Sequence, residues 1–177
     1  MDSNTHYHTG HKSEIKDYLW KYKDQYLWNY KHLQYQTDVN QSLIERDSFL
    51  ASIHSHLQGT LRFFKFPPMT FYRWHKDIGN QCNFNLIFIP QRAHTLFLDH
   101  QTTTQGNQQI HSVEPVEYVP GEWTLFNSQV THSVCNLDKD TRYLLTYSVD
   151  KYTYNEVLSF LKTLVRPEGI EPPFQTS

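Results

Sequence analysis

Residues 121–149 read GEWTLFNSQVTHSVCNLDKDTRYLLTYSV, and their reading decides the fold. β-Branched, aromatic and aliphatic residues gather in three short runs, at 123–127, 131–136 and 142–149. Asn-, Ser- and Asp-rich stretches separate the runs, a composition that makes turns. Runs of this length suit strands and are too short to stand as helices. Three successive strands joined by turns predict antiparallel β structure.

The same texture extends back to residue 61. Further runs lie at 61–66, 69–75, 82–89, 95–99, 110–113 and 116–119. Pro67-Pro68, Ile78-Gly79-Asn80, Pro90, Gln105-Gly106-Asn107 and Pro120-Gly121 punctuate them. The polar stretch 101–109 reads as a solvent-facing loop. Many short strands at this spacing predict a mainly β fold with flanking helices, a jelly roll or double-stranded β-helix of the cupin-like kind.

Before residue 61 the period changes. Ile15, Tyr18, Leu19, Tyr22, Tyr26, Trp28, Tyr30 and Leu33 follow near-helical spacing and predict one helix, or two short ones, over 13–34. Leu43, Ile44, Phe49, Leu50 and Ile53 predict another over 40–57, stopped by Gly59. His54 and His56 fall near its end, where histidine favours the helix dipole. A last helix is expected over 154–164. The domain therefore reads as one unit, 13–165, with helices in 13–57 packing on a β-core at 61–149. Residues 1–12, with His6, His8 and His11, read as a disordered polar tail. Residues 166–177 can neither continue a helix nor pair in a sheet, and read as frayed.

Composition narrows the function classes. A chain of 177 residues suits one core, and its 15% aromatic content offsets a hydrophobic share of only 38%. A net charge of −2 gives no footprint for nucleic acid or anionic membrane. Apolar runs such as 86–90 are far too short to span a bilayer. The opening Met1-Asp2-Ser3-Asn4-Thr5 lacks the basic-then-apolar pattern of a secretory leader. Cys82 and Cys135, the two cysteines, read as free thiols of a cytoplasmic protein.

Chemistry concentrates in two places. His75 ends a strand run and Asp77 follows two residues on, so both side chains can leave the same side of an extended chain. With 11 histidines present, one such pair is a weak signal. A turn in which Asp77 accepts backbone N–H groups explains it as well. His132 lies on a late strand, and Arg142 opens the next, which a hairpin would return beside it. An arginine in an apolar strand is costly to bury unless it meets an anion. Its planar fork suits a carboxylate. The alternative has Arg142 reaching solvent to pair with Asp138 or Asp140.

Together the parts say more. Two histidines and one carboxylate form the facial triad that suits non-haem iron(II) and leaves coordination positions open. Structural zinc sites are usually closed by Cys and His at tighter spacings. An arginine nearby would hold the far carboxylate of a dicarboxylic keto acid. The other candidates read as bland: His94 as a hydrogen-bonded core histidine, His100 and His111 as flanks of the polar loop, Trp74 and Trp123 as core. Tyr72 and Arg73 fall near the mouth, within reach of a substrate.

At these residues the segment 74–149 resembles the iron(II)- and 2-oxoglutarate-dependent dioxygenases, whose motif is His-x-Asp/Glu, a later His and then a basic residue. Residues 121–134 and Arg142-Tyr143-Leu144-Leu145 resemble the aspartyl/asparaginyl β-hydroxylase branch, as does the strand NFNLIFIP at 83–90. The resemblance implies iron(II) on His75, Asp77 and His132, 2-oxoglutarate anchored by Arg142, and O2 as the oxidant. It implies hydroxylation of a C–H bond in a peptide side chain, an amino acid or a small metabolite, with release of succinate and CO2. Two departures stand out. Asp77 occupies a position where members of that branch carry Gly, and the full triad fits hydroxylation rather than halogenation. Asn83 and Asn85 replace basic residues, though Asn85 keeps a hydrogen-bond donor for the co-substrate. Leu144 stands where some branches have Ser, and Thr146 or Ser148 offers a hydroxyl on the face of Arg142 instead. Two alternatives stay open: a cupin-like metal enzyme without a keto acid, recruiting His94 as a ligand, and a non-catalytic jelly-roll binding module.

Overall fold

The computed structural model describes residues 5–31, 34–88, 95–105 and 108–164. The strands are β1 (His6–Lys12), β2 (Asn29–Lys31), β3 (Gln34–Asp38), β4 (Thr60–Phe66), β5 (Thr70–Phe71), β6 (Cys82–Ile87), β7 (Thr95–Gln105), β8 (Gln108–Pro115), β9 (Glu122–Phe126), β10 (His132–Asn136) and β11 (Arg142–Val149). The α-helices are α1 (Lys16–Tyr22), α2 (Ser48–Leu57) and α3 (Tyr154–Leu164), and a 3-10 helix spans Gln41–Arg46. One sheet has seven strands in the order β1-β9-β6-β11-β4-β3-β2, and the other has four in the order β5-β10-β7-β8. Every named pairing is antiparallel. This is the double-stranded β-helix that the strand pattern predicts. Among the described residues, no helix is long and apolar enough to cross a membrane.

The central strands show how sequence separates scaffold from site. β6 and β11 are buried along their whole length, so alternate residues must serve two interiors. Cys82, Phe84 and Leu86 on β6, with Tyr143, Leu145, Tyr147 and Val149 on β11, join Leu19, Leu50, Ile53, Leu57, Val157 and Leu161 in the main core under the helices. Their neighbours in sequence, Asn83, Asn85, Thr146 and Ser148, line a cavity on the opposite face. The period of two therefore puts an apolar core on one side of the sheet and a polar cleft on the other.

Asp47 ties the helical layer to the sheet. It is completely buried, caps α2 by accepting from the Leu50 N–H, and also accepts from Ser13 Oγ, the Glu14 N–H and Trp123 Nε1. Trp123 is core, as its type predicts, whereas Trp74 is 37% exposed.

Several expectations are corrected. The region expected as a tail contains β1, which pairs with β9 through His6, Tyr7 and His8. Its polar side chains carry no strand signal because an edge strand is held by backbone bonds to a partner. Only Lys16–Tyr22 of the first expected helix is α-helical. Past a short 3-10 turn at Lys23–Gln25 the chain forms the β2–β3 hairpin, whose β3 extends the sheet through β4. The aromatic spacing was ambiguous there, and cross-strand pairing with β4 prevails over local propensity. The second expected helix is divided at Asp47 into the 3-10 helix and α2. Within the stretch expected as a loop, Thr102 to Gln105 form strand and pair with Gln108 to His111. Residues 116–119 form no strand. Leu33, Ile89, Pro90, His94 and residues 166–177 lie outside the described residues.

Candidate metal centre

The site begins with backbone. His75 and His132 exchange N–H···O=C bonds of 2.9 Å in both directions, an isolated antiparallel bridge between the β5–β6 connection and β10. Residues so paired project side chains to the same face, and the two imidazole centroids lie 4.3 Å apart. The turn before β10 fixes the remaining ligand. The Asp77 N–H donates to the Ser128 carbonyl, and Gln129 Nε2 donates to the carbonyls of Asp77 and Asn80. Ser128 Oγ also donates to the Asn80 carbonyl.

Each ring has a defined tautomer. His75 Nδ1 lies 2.8 Å from the Arg73 carbonyl, and His132 Nδ1 lies 2.9 Å from the Val130 carbonyl. A carbonyl only accepts, so both Nδ1 atoms carry hydrogen and both Nε2 atoms are left to face the centre. There they meet Asp77 Oδ1, at 3.4 Å from His75 and 3.7 Å from His132. One ligand atom from each of the three residues lies within 4.8 Å of the others. For metal–ligand bonds of about 2.1 Å, neighbouring donors on an octahedral face stand about 3 Å apart, so a small inward adjustment suffices.

The carboxylate is held from behind. Asn83 Nδ2 donates to Asp77 Oδ2 at 3.0 Å and leaves Oδ1 for the centre. Burial disfavours the charged carboxylate, yet the His75 hydrogen bond, the nearby His132 and the Asn83 amide outweigh it and hold Asp77 below the ordinary range. His132, nearly enclosed and edge-on to Phe126, is pushed down by burial and held neutral. Burial also works to lower His75, but its bonds to Asp77 and the Arg73 carbonyl prevail and raise it. Once His75 gives up the Nε2 proton it shares with Asp77, three acceptors point at one space, an arrangement that a cation stabilises. The residues fit a metal.

The triad opens into a cavity of about 420 Å³ between the sheets, lined also by Asn85, Val134, Leu144, Thr146 and Ser148. Arg142 is not in that lining. It is 1% exposed and lies beyond Phe66 and Leu144, its guanidinium centred 5.7 Å from the Phe66 ring and 5.7 Å from the Tyr118 ring. Nη1 donates to the Cys135 carbonyl at 3.2 Å and Nη2 to Thr95 Oγ1 at 3.3 Å. Burial pulls its pKa down, with Tyr118 beside it acting the other way. Arg142 therefore does not reach solvent. Nor does it come back by a simple hairpin: β10 belongs to the small sheet and β11 to the large one, so the chain crosses between layers. Buried Asn136 shapes that crossing, its Nδ2 contacting the carbonyls of Phe66, Pro67 and Asp140.

The predicted residues thus divide into a converged triad, Asn85 on the wall of the same cavity, and Arg142 behind it. A polar chain links the last two. Thr146 Oγ1 donates to Asn85 Oδ1, Asn85 Nδ2 donates to the Tyr118 hydroxyl, and that hydroxyl lies 3.3 Å from Thr95 Oγ1. Sequence reading missed Tyr118, Thr95, Gln129 and the role of Asn83. A signal existed for Asn83, because two asparagines at i and i+2 in an otherwise apolar strand mark a polar inner face.

No protein-family model matches the chain, and no curated protein matches it. Solved structures do. A prolyl-4-hydroxylase of Pseudomonas putida aligns over 77% of this chain and 84% of its own, with 15% identity and a TM-score of 0.52. A 2OG-Fe(II) oxygenase family protein of Burkholderia pseudomallei aligns over 78% of each chain, with 10% identity and a TM-score of 0.54. At such identities the likeness is one of fold, and the chain has the double-stranded β-helix of these oxygenases.

Proposed function

We propose that this protein is an iron(II)- and 2-oxoglutarate-dependent oxygenase that hydroxylates a C–H bond. One observation carries the reading: His75 Nε2, His132 Nε2 and Asp77 Oδ1 converge while both Nδ1–H groups are engaged by backbone carbonyls. When bound, iron(II) supplies the oxidising chemistry, coupling the conversion of 2-oxoglutarate and O2 to succinate and CO2 with delivery of one oxygen atom to the substrate.

The chain's own residues position and exclude. His75, Asp77 and His132 would hold the metal from one side and leave room for other ligands. The Arg142 guanidinium, with the hydroxyls of Tyr118 and Thr95, supplies the charge and donors suited to a distal carboxylate. Asn85 and Thr146 furnish polar contacts along the way, and Phe126, Val134 and Leu144 limit water near the centre. Prolyl-4-hydroxylase among the structural neighbours supports hydroxylation as the outcome. The segments around His132 and Arg142 support a place near the aspartyl/asparaginyl hydroxylases. Two buried cysteines not joined in a disulfide support a reducing compartment such as the cytoplasm.

A second reading has its own support. Because Arg142 stands behind the cavity wall, a metal enzyme without a keto acid also suits this site. The test is succinate formation from 2-oxoglutarate by the iron-loaded protein. Formation that requires both iron and O2 and disappears in Arg142→Gln favours the first reading. Metal-dependent activity indifferent to 2-oxoglutarate and to that substitution favours the second.

A further inference from the structure

The charges around the cavity are one-sided. The whole chain carries a net charge of −2. Yet, among the described residues, Arg62, Arg73 and Lys76 line the cavity, with Asp77 as the one carboxylate. Asp77 is committed to the two histidines and Asn83. Arg73 and Lys76 bracket His75, are exposed, and form no ion pair among the described residues. Arg62 enters from β4, opposite Thr146 on β11. Its contact with Asp38 is 4.0 Å long and made to a side chain that is 94% exposed. An ion pair so open to water is worth little, so an incoming anion can displace it.

The co-substrate does not account for these cations. On the reading above, a divalent ion, Asp77, doubly charged 2-oxoglutarate and Arg142 already cancel one another. Arg62, Arg73 and Lys76 are left over. Cations of one sign along a cleft with low-dielectric walls focus the potential and raise the local concentration of anions. The cavity, at about 420 Å³, has the size of a site for one small molecule.

We propose that the molecule oxidised here is a small organic anion bearing a carboxylate or phosphate, held by Arg73 and Lys76 with Arg62 across the cavity. The proposal rests on the oxygenase reading and names its substrate class. Recognition is by charge at the mouth, with the neutral part of the molecule turned toward the triad.

The test uses iron-loaded full-length protein at saturating 2-oxoglutarate and measures succinate release. One arm presents N-acetylaspartate and N-acetylglutamate against their uncharged diamides, N-acetylasparaginamide and N-acetylglutaminamide. A second presents glycerol 3-phosphate against glycerol, so the two arms separate carboxylate from phosphate. The expected result is about ten-fold or greater stimulation by the charged member of at least one pair, diminishing as salt is raised. Replacing Arg73→Gln and Lys76→Gln together should raise KM for the best acid about ten-fold or more without a comparable rise in KM for 2-oxoglutarate. Equal rates with charged and uncharged members, including no stimulation by either, would overturn the proposal. So would a rise confined to KM for 2-oxoglutarate, which would assign these cations to the co-substrate. The oxygenase reading fails separately, if iron(II) and 2-oxoglutarate give no visible absorption band in the absence of any substrate.

Discussion

Asn83 Nδ2 donates to Asp77 Oδ2 at 3.0 Å, so one carboxylate oxygen is taken up by the protein and the other is left for the centre. The Asn83 Oδ1 atom is buried and has no hydrogen-bond partner among the described residues, so the amide is placed for what its nitrogen does. Removing it should loosen Asp77 without deleting a ligand. Asn83→Ala is expected to weaken metal binding by about ten- to a hundred-fold, the usual cost of losing an orienting partner. Asp77→Ala should lose nearly all affinity. Calorimetric titration of the metal-free protein with cobalt(II) or anaerobic iron(II) measures both, and equal losses for the two variants would show that Asn83 does more than orient.

Arg142 should separate co-substrate binding from metal binding. It touches none of the three ligands and lies against Phe66, Tyr118, Thr95 and Cys135. Arg142→Gln is expected to keep the metal stoichiometry but to raise KM for 2-oxoglutarate about a hundred-fold, the scale of losing a charge-assisted bidentate contact. A melting curve distinguishes this from loss of fold.

The buried carboxylate of Asp47 tests the scaffold independently of the site. Four donors reach it, two of them backbone N–H groups. Asp47→Ala leaves the buried Leu50 N–H and Trp123 Nε1 unmet, and the cap of α2 disappears as well. The expected loss is about 3 kcal/mol or more, read from urea denaturation.

Much of this was legible in the sequence, and the reasons for success and failure are physical. Where a strand is buried on both faces, as β11 is, its residue types alternate between two demands, and Leu145 beside Thr146 announces the division. The His-x-Asp pair and His132 were legible because metal chemistry restricts residue types. β1 and the β2–β3 hairpin were not, since His6, His8, Gln34 and Gln36 join a sheet edge through backbone bonds that their side chains do not advertise. The sheet-to-sheet crossing before Arg142 was hidden for another reason. Its turn rests on Asn136 contacting carbonyls far upstream, at Phe66 and Pro67.

High pH should destabilise the fold in a predictable direction. Burial pushes Cys82 from 9.0 to about 12, and pushes Tyr147 and Tyr154 from 10.0 to about 12. Above the ordinary values the unfolded chain releases protons that the folded chain keeps, so stability falls as pH rises through that window. The Cys82 thiol should also resist alkylation in the native state at pH 9 and react once the chain is denatured, as a time course with iodoacetamide would show.

The central claim is that His75, Asp77 and His132 hold one metal ion that also accepts a keto acid. Anaerobic titration of the protein with iron(II) and then 2-oxoglutarate, followed by visible absorption, tests it most directly. A weak charge-transfer band that saturates at one iron and one keto acid per chain, and is missing in His132→Ala, is the predicted result. Folded protein that binds iron elsewhere, or gives no band at saturating ligand, would contradict it.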